Sequence, residues 1–215
     1  MNLLKQVKEN KIITILRNIP IDQILPIAQA LYDGGIKLLE ITFDQSSSTG
    51  LSDTSMAISM LADAMGDKMY IGAGTVMTSE QLNIAYKAGA KYILTPNLDE
   101  KIIYESKKLG LNAISGAFTP SEIVTAYNAG SDIVKLFPAG SIGTEYIKAI
   151  RAPINHIPII AVGGVNEINI LKFLDSGIVG AGIGSNIVKN NLVKNKNYEG
   201  ITKLAKKYIR AVKMK

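Results

Sequence analysis

One lysine stands inside a short apolar, β-branched stretch of the chain, where a charged side chain is unusual. Lys135 lies near the end of Ile133–Phe137, and Pro138, Ala139 and Gly140 follow directly. This pattern predicts a buried strand that stops at a loop. Burial penalises the ammonium form of a lysine, and a neutral amine attacks carbonyl carbons. Lys135 is therefore a candidate Schiff-base nucleophile, and the alternative is a lysine whose head group extends to the surface.

A glutamate occupies an equivalent position in another apolar stretch. Glu40 lies within Leu38–Thr42 and follows Gly35 by five residues, just as Lys135 follows Gly130. The equal spacing places both charged groups at a similar depth in the fold. A carboxyl group beside a reactive amine can serve as the acid and base of carbonyl chemistry. A buried Glu–Lys ion pair with a purely structural role is the alternative.

The elements that must position these two residues form a repeated pattern, in which a helical stretch ends at a glycine and a short apolar strand follows. Glycine suits the left-handed position that closes a helix. The pattern predicts eight strands, at Ile12–Leu16, Leu38–Thr42, Tyr70–Gly74, Tyr92–Thr95, Asn112–Ser115, Ile133–Phe137, Ile159–Val162 and Val179–Ile183. Apolar strands that alternate with helices indicate a parallel sheet covered on both faces. We therefore predict a single α/β domain over residues 1–215, a (β/α)₈ TIM barrel, with a doubly wound open sheet as the alternative.

The amino-acid composition excludes several kinds of catalytic site. The chain has no cysteine and a single histidine, His156, which excludes thiolate nucleophiles and metal sites built from several cysteines or histidines. Carboxylate or lysine side chains are therefore the expected groups for proton transfer. Neither a cofactor nor a catalytic metal is expected. No apolar run has the length of a signal peptide or a membrane span, so the expectation is a cytoplasmic protein with no membrane partner.

The net charge of +6 is concentrated at the C-terminal end. Residues 186–215 contain nine Lys or Arg residues and one acid, a balance of +8, which leaves −2 for the other 185 residues. Ile201, Ala205, Tyr208 and Val212 recur there at helical spacing, with the basic residues mostly on the other side. This is typical of an amphipathic helix with a solvated face, so no nucleic-acid partner is expected.

Glycine-rich segments follow the last two predicted strands. Gly163 and Gly164 follow the seventh strand, and Gly184 and Ser185 follow the eighth. Loops at these two positions of a TIM barrel commonly hold phosphate through backbone N–H groups, which glycine leaves accessible. The Ser185 hydroxyl can add a further donor. The two segments together favour a phosphate site, and tight turns without a ligand are the alternative.

Several motifs occur in an order and spacing that match a known family. They are Gly72-Ala73-Gly74-Thr75-Val76, Lys135-Leu136-Phe137-Pro138-Ala139 and Ala161-Val162-Gly163-Gly164-Val165, together with Ile15-Leu16-Arg17 and Leu39-Glu40-Ile41-Thr42. Over about residues 11–189 the chain resembles the 2-keto-3-deoxy-6-phosphogluconate (KDPG) and 4-hydroxy-2-oxoglutarate (KHG) aldolases, a family that includes a phosphogalactonate (KDPGal) branch. The resemblance implies a class I, metal-independent aldolase without a cofactor, usually a homotrimer.

The resemblance also implies a substrate and the roles of individual residues. The substrate would be a small keto-acid phosphate cleaved to pyruvate and glyceraldehyde 3-phosphate, and KHG would give pyruvate and glyoxylate. Lys135 would form the Schiff base and Glu40 would act as acid and base. The remaining substrate-binding residues would be Thr75, Pro96 and Phe137 at the keto-acid end and Gly163, Gly164 and Ser185 at the phosphate.

Two positions depart from the pattern of many family members. Several members have an arginine four residues after the glutamate to hold the substrate carboxylate, and this chain has Asp44 there. Other members have an arginine at the end of strand one, so we assign the carboxylate to Arg17, whose planar guanidinium suits it. Val162 stands where many phosphogluconate-cleaving members have threonine, which predicts a relaxed preference between C4 epimers. The polar stretch Gln45–Ser55 is interpreted as a solvated loop rather than a lid.

Two alternatives from other functional classes stay open at the level of sequence. A phosphosugar isomerase or epimerase barrel would have similar phosphate loops but no need of Lys135. A non-catalytic protein that binds nucleic acid through the basic C-terminal segment would show salt-dependent binding and no carbonyl chemistry.

Overall fold

The eight predicted strands close into a barrel. A computed structural model of the chain describes residues 2–213. The strands are β1 Ile12–Leu16, β2 Leu38–Thr42, β3 Tyr70–Gly74, β4 Tyr92–Leu94, β5 Asn112–Ala117, β6 Ile133–Leu136, β7 Ile159–Val162 and β8 Gly180–Ile183. All neighbours are parallel, and β8 pairs with β1, with Ile13 opposite Gly182. The TIM-barrel prediction is confirmed, and the open sheet is excluded because no edge is left in this sheet.

Helices cover the outside of the barrel and close the end at which the strands begin. They are α1 Leu3–Asn10, α2 Ile21–Asp33, α3 Gly50–Met65, α4 Ser79–Lys87, α5 Glu100–Lys108, α6 Pro120–Asn128, α7 Ala139–Arg151, α8 Ile170–Asp175, α9 Asn190–Lys194 and α10 Tyr198–Lys213. Between these helices and the strands that follow, Gly35, Gly89, Gly110, Gly130 and Gly177 all have φ between 74° and 103°. Side chains rarely adopt this conformation, which explains why glycine recurs there.

The interior of the barrel has its own apolar cluster, distinct from the larger core between strands and helices. Ile13, Leu38, Ile133 and Ile160 contribute one side chain each from four strands. Leu3 and Val7 of α1 belong to the same cluster and are fully buried. Helix α1 therefore plugs the N-terminal end of the barrel, so the barrel opens only at the other end, where the strands finish.

The segment between β2 and α3 is shorter than the sequence suggested. The loop interpretation of Gln45–Ser55 is wrong from Gly50 onward, because α3 begins there. Leu61, Ile58 and Thr54 are buried at helical spacing on the inner face of this helix. The hydroxyl of Thr49 donates to Asp53 in the first turn, at 2.6 Å, which stabilises the start of a helix whose first residues are polar.

The basic C-terminal segment forms the predicted amphipathic helix. In α10, Ile201, Ala205, Tyr208 and Val212 are buried, and the hydroxyl of Thr202 donates to the carbonyl of Ala30 in α2 at 2.8 Å. The basic side chains lie on the solvent side, and some of them pair with nearby acids. Across residues 2–213, no helix combines the length and the apolar character needed to cross a membrane.

Candidate active site

Lys135 and Glu40 both project into the barrel above the apolar plug. Side chains two residues apart on a strand point to the same face, and Leu38 and Ile133 belong to the interior cluster. Glu40 and Lys135 follow them by two residues, so they face inward one layer nearer the open end. Glu40 is 1% exposed and Lys135 is 5% exposed. The burial that the sequence predicted for both residues is therefore present.

The carboxyl group of Glu40 is held in an environment suited to proton transfer. Burial raises the pKa of Glu40, and the positive charges of Lys135 and Arg17 act in the opposite direction. Within the described part of the chain, Glu40 Oε2 is buried and makes no hydrogen bond. A carboxyl group with a raised pKa and an oxygen that makes no hydrogen bond can accept a proton and return it.

Phe137 links Lys135 to the glycine loop after β7. Its ring centroid lies 5.2 Å from Lys135 Nζ. The ring is 40% exposed, and a Cβ atom added at Gly163 would lie 3.4 Å from it. The ring therefore forms an apolar wall between the amine and the site predicted for phosphate. Such a wall limits the access of water to an amine that reacts with a carbonyl group.

A cavity of about 880 Å³ opens at the C-terminal end of the barrel. Its lining includes six of the predicted site residues, namely Arg17, Phe137, Val162, Gly163, Gly164 and Ser185. Lys135 and Glu40 do not line this cavity, because they lie further down their strands. Its size is ample for a six-carbon phosphorylated acid. The predicted phosphate loops and the predicted carboxylate arginine thus share one cavity.

Thr75 and Pro96 lie outside that cavity, at the ends of the two strands that follow β2. Thr75 comes directly after β3 in the left-handed conformation, with φ 56°, and its carbonyl accepts a hydrogen bond of 3.0 Å from Gln45. Pro96 follows β4, and its backbone packs so closely on Gly116 that a Cβ atom there would overlap with it. Gly116 is the register partner of Lys135. Both residues therefore border the Glu40–Lys135 side of the barrel mouth.

The loop after β7 has the backbone conformation that its two glycines predict. Gly163 and Gly164 have φ values of 86° and 78°, which few other residues adopt. The N–H of Gly140 donates to the Gly163 carbonyl at 2.7 Å, and the Asn169 side chain donates to the Gly164 carbonyl at 2.9 Å. These two hydrogen bonds engage the carbonyl groups of Gly163 and Gly164 and fix the shape of the loop. A fixed loop of this kind can present N–H groups to an anion.

Several residues that line the cavity were missed by the sequence reasoning. Asn186 donates from its side chain to the carbonyl of Val165 at 2.8 Å and so ties the two glycine loops together. Asn18, Asn190 and Lys194 also line the cavity. Asn186 could have been found, because it directly follows Ser185. Lys194 could not, because its segment was assigned as a whole to a solvated helical face.

Asp44 is partly buried and is held by its own loop. Its carboxylate accepts hydrogen bonds from the backbone N–H and the hydroxyl of Ser46, at 2.9 and 2.7 Å. The hydrogen bonds from Ser46 lower the pKa of Asp44, and the charge of Arg17 lowers it further. Among residues 2–213, no group of three or more His, Asp or Glu side chains is arranged to hold a metal ion.

The fold and the two buried residues define a class of enzyme. A TIM barrel with a lysine and a glutamate buried beneath a glycine-lined cavity is the arrangement of a class I aldolase, a carbon–carbon lyase. The chain belongs to the family described as KDPG and KHG aldolase, which matches residues 3–204. This membership decides against both the isomerase and the non-catalytic alternatives.

Individual relatives agree with the family. A 2-dehydro-3-deoxy-6-phosphogalactonate aldolase of Escherichia coli (strain K12) is 33% identical over 202 residues, which cover 94% of this chain and 96% of the relative. A 2-dehydro-3-deoxy-phosphogluconate aldolase of Haemophilus influenzae is 32% identical, with 98% and 97% covered. A crystal structure of KDPG aldolase from Legionella pneumophila, with pyruvate captured at low pH as a covalent carbinolamine intermediate, aligns with a TM-score of 0.82 at 29% identity, covering 92% and 93%.

Proposed function

We propose that this aldolase cleaves KDPG, or its galactonate epimer, to pyruvate and glyceraldehyde 3-phosphate, and that it also cleaves KHG to pyruvate and glyoxylate. The observation that carries the proposal is the pair Lys135 and Glu40, which are buried on opposite strands of the barrel beneath one glycine-lined cavity, with the charge of Lys135 acting on Glu40. The activities for which the relatives are named support the substrate class, because both the gluconate and the galactonate acids occur among them.

The reaction begins with attack of the Lys135 amine on the C2 ketone of the substrate. The carbinolamine that forms loses water to give an iminium ion. This cation draws electrons from the C3–C4 bond. The covalent carbinolamine of the Legionella pneumophila enzyme is the corresponding adduct with pyruvate and supports this first step.

Glu40 moves the protons in the second half of the reaction. Its carboxylate removes the C4 hydroxyl proton, directly or through a water, and the electrons of the C3–C4 bond pass into the iminium. Glyceraldehyde 3-phosphate leaves, and an enamine of pyruvate stays on Lys135. Protonation at C3 and hydrolysis of the iminium release pyruvate and the free amine. A carboxyl group with a raised pKa suits both directions of transfer.

The two ends of the substrate bind at different places in the cavity. Arg17 offers two parallel N–H donors to the substrate carboxylate, and its charge reaches Glu40, so it lies at the keto-acid end. Thr75, Pro96 and Phe137 border this end. Gly163, Gly164 and Ser185 bind the phosphate through N–H groups and a hydroxyl, as expected for the loops after the last two strands of a TIM barrel.

Val162 influences the choice between C4 epimers. It ends β7, lines the cavity, and packs on Gly182, where an added Cβ atom would lie 2.8 Å from Val162 Cγ2. A threonine here would offer a hydroxyl, worth about 0.5 to 1.5 kcal/mol, to the C4 hydroxyl of the gluconate series. We propose that the galacto epimer is cleaved at least as well as the gluco epimer. Val162→Thr should raise the gluco/galacto ratio of kcat/KM by up to about tenfold; an unchanged ratio, or a hundredfold gluco preference in the wild type, would contradict this.

A product assay tests the proposed function. Purified protein is incubated with KDPG, KDPGal and KHG in turn, and pyruvate is measured with lactate dehydrogenase. We expect pyruvate from at least one phosphorylated acid, with equimolar glyceraldehyde 3-phosphate. EDTA should leave the rate intact, since the iminium at Lys135 supplies the electron sink. Loss of activity with EDTA that zinc or magnesium restores would contradict the mechanism, and absence of pyruvate from all three acids would contradict the function.

We also propose a homotrimer, which the family resemblance implies. An exposed apolar patch of Phe118, Val124 and Tyr127, each close to 39% exposed, follows β5 and runs along α6, and Tyr146 stacks on Phe118. Such a patch suits burial against a second copy. Light scattering should give about three times the 23.1 kDa chain mass, and Phe118→Asp should lower it. A wild-type mass equal to one chain would contradict the proposal.

A further inference from the structure

The cavity extends past the glycine loops to the short helix α9. Asn190, Val193 and Lys194 line it, and residues spaced by three and four share one face of a helix. Val193 is 7% exposed, so this face is held against the barrel, whereas Lys194 is exposed. The aliphatic part of the Lys194 side chain therefore lies along the cavity wall, and its ammonium group contacts solvent at the opening of the cavity.

The charges that line the cavity are all positive. Among the lining residues that the structure describes, Arg17 and Lys194 are the charged ones, and none is acidic. Arg17 lies at the keto-acid end, close enough to lower the pKa of Glu40. Lys194 lies on the wall that follows β8, past Ser185. A cleft lined by charges of one sign attracts ligands of the opposite sign.

We propose that Lys194 is a substrate-specificity residue, which recognises the phosphate of the substrate by its charge. The inference rests on the proposed function. A phosphate monoester carries a charge of about −1.5 to −2 at neutral pH. Gly163, Gly164 and Ser185 offer N–H and hydroxyl dipoles but no cation. Lys194 supplies the missing charge, and it thereby favours phosphorylated over unphosphorylated keto acids.

A lysine two residues away provides a matched control. Lys196 follows the end of α9 and does not line the cavity. Its ammonium group lies 3.4 Å from Asp22 on α2. Lys194→Gln and Lys196→Gln remove the same charge from the same part of the surface. A difference between the two variants therefore reports the position of the charge in the cavity rather than the net charge of the protein.

The experiment compares wild type, Lys194→Gln and Lys196→Gln on a phosphorylated substrate, KDPG or KDPGal, and on unphosphorylated KHG, at low and high ionic strength. For Lys194→Gln we expect kcat/KM on the phosphorylated substrate to fall about fivefold, through KM, because an exposed ion pair contributes little more. The loss should shrink as salt is added. Activity on KHG should fall less, because its distal carboxylate carries a single charge on a shorter chain, and Lys196→Gln should match the wild type on both substrates.

Two results would overturn the inference. Equal losses on phosphorylated and unphosphorylated substrates would show that Lys194 only supports the cavity wall, and equal effects of the two variants would show that the position of the charge is irrelevant. Trapping of pyruvate with borohydride separates these results from failure of the proposed function. Pyruvate has no phosphate, so the adduct on Lys135 should form equally in all three proteins, and its absence would instead reject the Schiff-base mechanism.

Discussion

The two halves of the barrel interior are built from the same strands but differ in chemistry. In the half closed by α1, the strands contribute Ile13, Leu38, Ile133 and Ile160, and no charged side chain belongs to that described cluster. Two residues further along, two of these strands present Glu40 and Lys135 to the open half, and Val162, at the same step along β7, belongs to the apolar cluster and also lines the cavity. A rise of about 3.3 Å per residue separates the two layers by less than 7 Å.

The difference shows how a barrel separates stability from reactivity. The closed half buries apolar side chains and stabilises the fold, as packed cores do. The open half buries an amine and a carboxyl group, which burial alone would disfavour. The apolar cluster at the closed end keeps the strands rigid. The strands in turn hold these two groups in position for the substrate. Changes in the open half should therefore affect turnover more than stability, and changes in the closed half should do the opposite.

Replacement of the lysine should have the largest effect on turnover. Lys135→Met keeps the length and volume of the side chain but removes the nucleophile, so kcat should fall at least about 10,000-fold. Stability should be unchanged or lower, because the apolar side chain fills the same space but Glu40 loses the positive charge that offsets its burial. Steady-state kinetics and thermal melts check both parts. A variant that retains a tenth of the wild-type rate would show that Lys135 is not the nucleophile.

Removal of the proposed acid/base group, Glu40, should have the next largest effect. Glu40→Gln keeps the shape of the side chain but can no longer accept a proton, so kcat should fall about 100- to 10,000-fold. The pyruvate adduct on Lys135 should still form, because the amine that makes the iminium with the ketone is unchanged. A variant with normal kcat would place the acid/base function elsewhere.

The same variant tests the raised pKa of Glu40 through stability. Its pKa is above the ordinary value of 4.5, chiefly because of burial. A carboxyl group whose pKa is higher in the folded chain stabilises the fold below the unfolded pKa, and this contribution is lost as pH rises through the folded pKa. Glu40→Gln should therefore be more stable, relative to wild type, at pH 7.5 than at pH 4. A difference in melting temperature that does not change with pH would contradict the shift.

Two glycines of β3 offer a direct comparison of the halves. A Cβ atom at Gly74 would overlap with the end of the Glu40 side chain, whereas one at Gly72 would lie 2.5 Å from the rigid ring of Tyr92. Gly74→Ala should displace Glu40 and lower kcat about 10- to 100-fold at little cost in stability. Gly72→Ala should cost about 1 to 3 kcal/mol of unfolding free energy and affect kcat less. Urea denaturation and steady-state kinetics on both variants measure these two effects. If both variants lose the same stability and the same kcat, the open and closed halves do not differ in the way described.

The smallest effect on turnover is expected at the bottom of the barrel. Leu3 of α1 is fully buried in the interior cluster. Leu3→Ala should reduce the free energy of unfolding by about 2 to 4 kcal/mol. At a temperature where the variant is folded, kcat/KM should remain within twofold of wild type. A large loss of kcat with normal stability would mean that the closed half also positions the catalytic groups.

The strands were predictable because their signals are local. Apolar runs and helix-ending glycines placed all eight strands, and the ends differ by at most two residues, as at β5, which reaches Ala117. The start of α3 was not predictable in this way, because Ser46, Ser47 and Ser48 continue as a polar run into its first turns. Helix propensity there is weak, and the helix depends on packing of its later apolar residues.

The candidate site was predictable only in part. The depth of Glu40 and Lys135 followed from their spacing after glycine, and Gly163 and Gly164 were visible as a loop signal. The contribution of Lys194 to the cavity depends on where α9 packs after β8, which no local pattern encodes. Site residues on strands can therefore be predicted from the sequence more readily than site residues that a helix such as α9 brings to the cavity.

Trapping of pyruvate on the protein with borohydride tests the Schiff-base role of Lys135 most directly. We expect one adduct per chain, located on Lys135 by peptide mass spectrometry, with parallel loss of activity and no adduct in Lys135→Met. The matched control is Lys196, a lysine that is exposed and outside the cavity, whose replacement should leave the adduct unchanged. An adduct on any other lysine, or activity that survives full modification, would contradict the central claim.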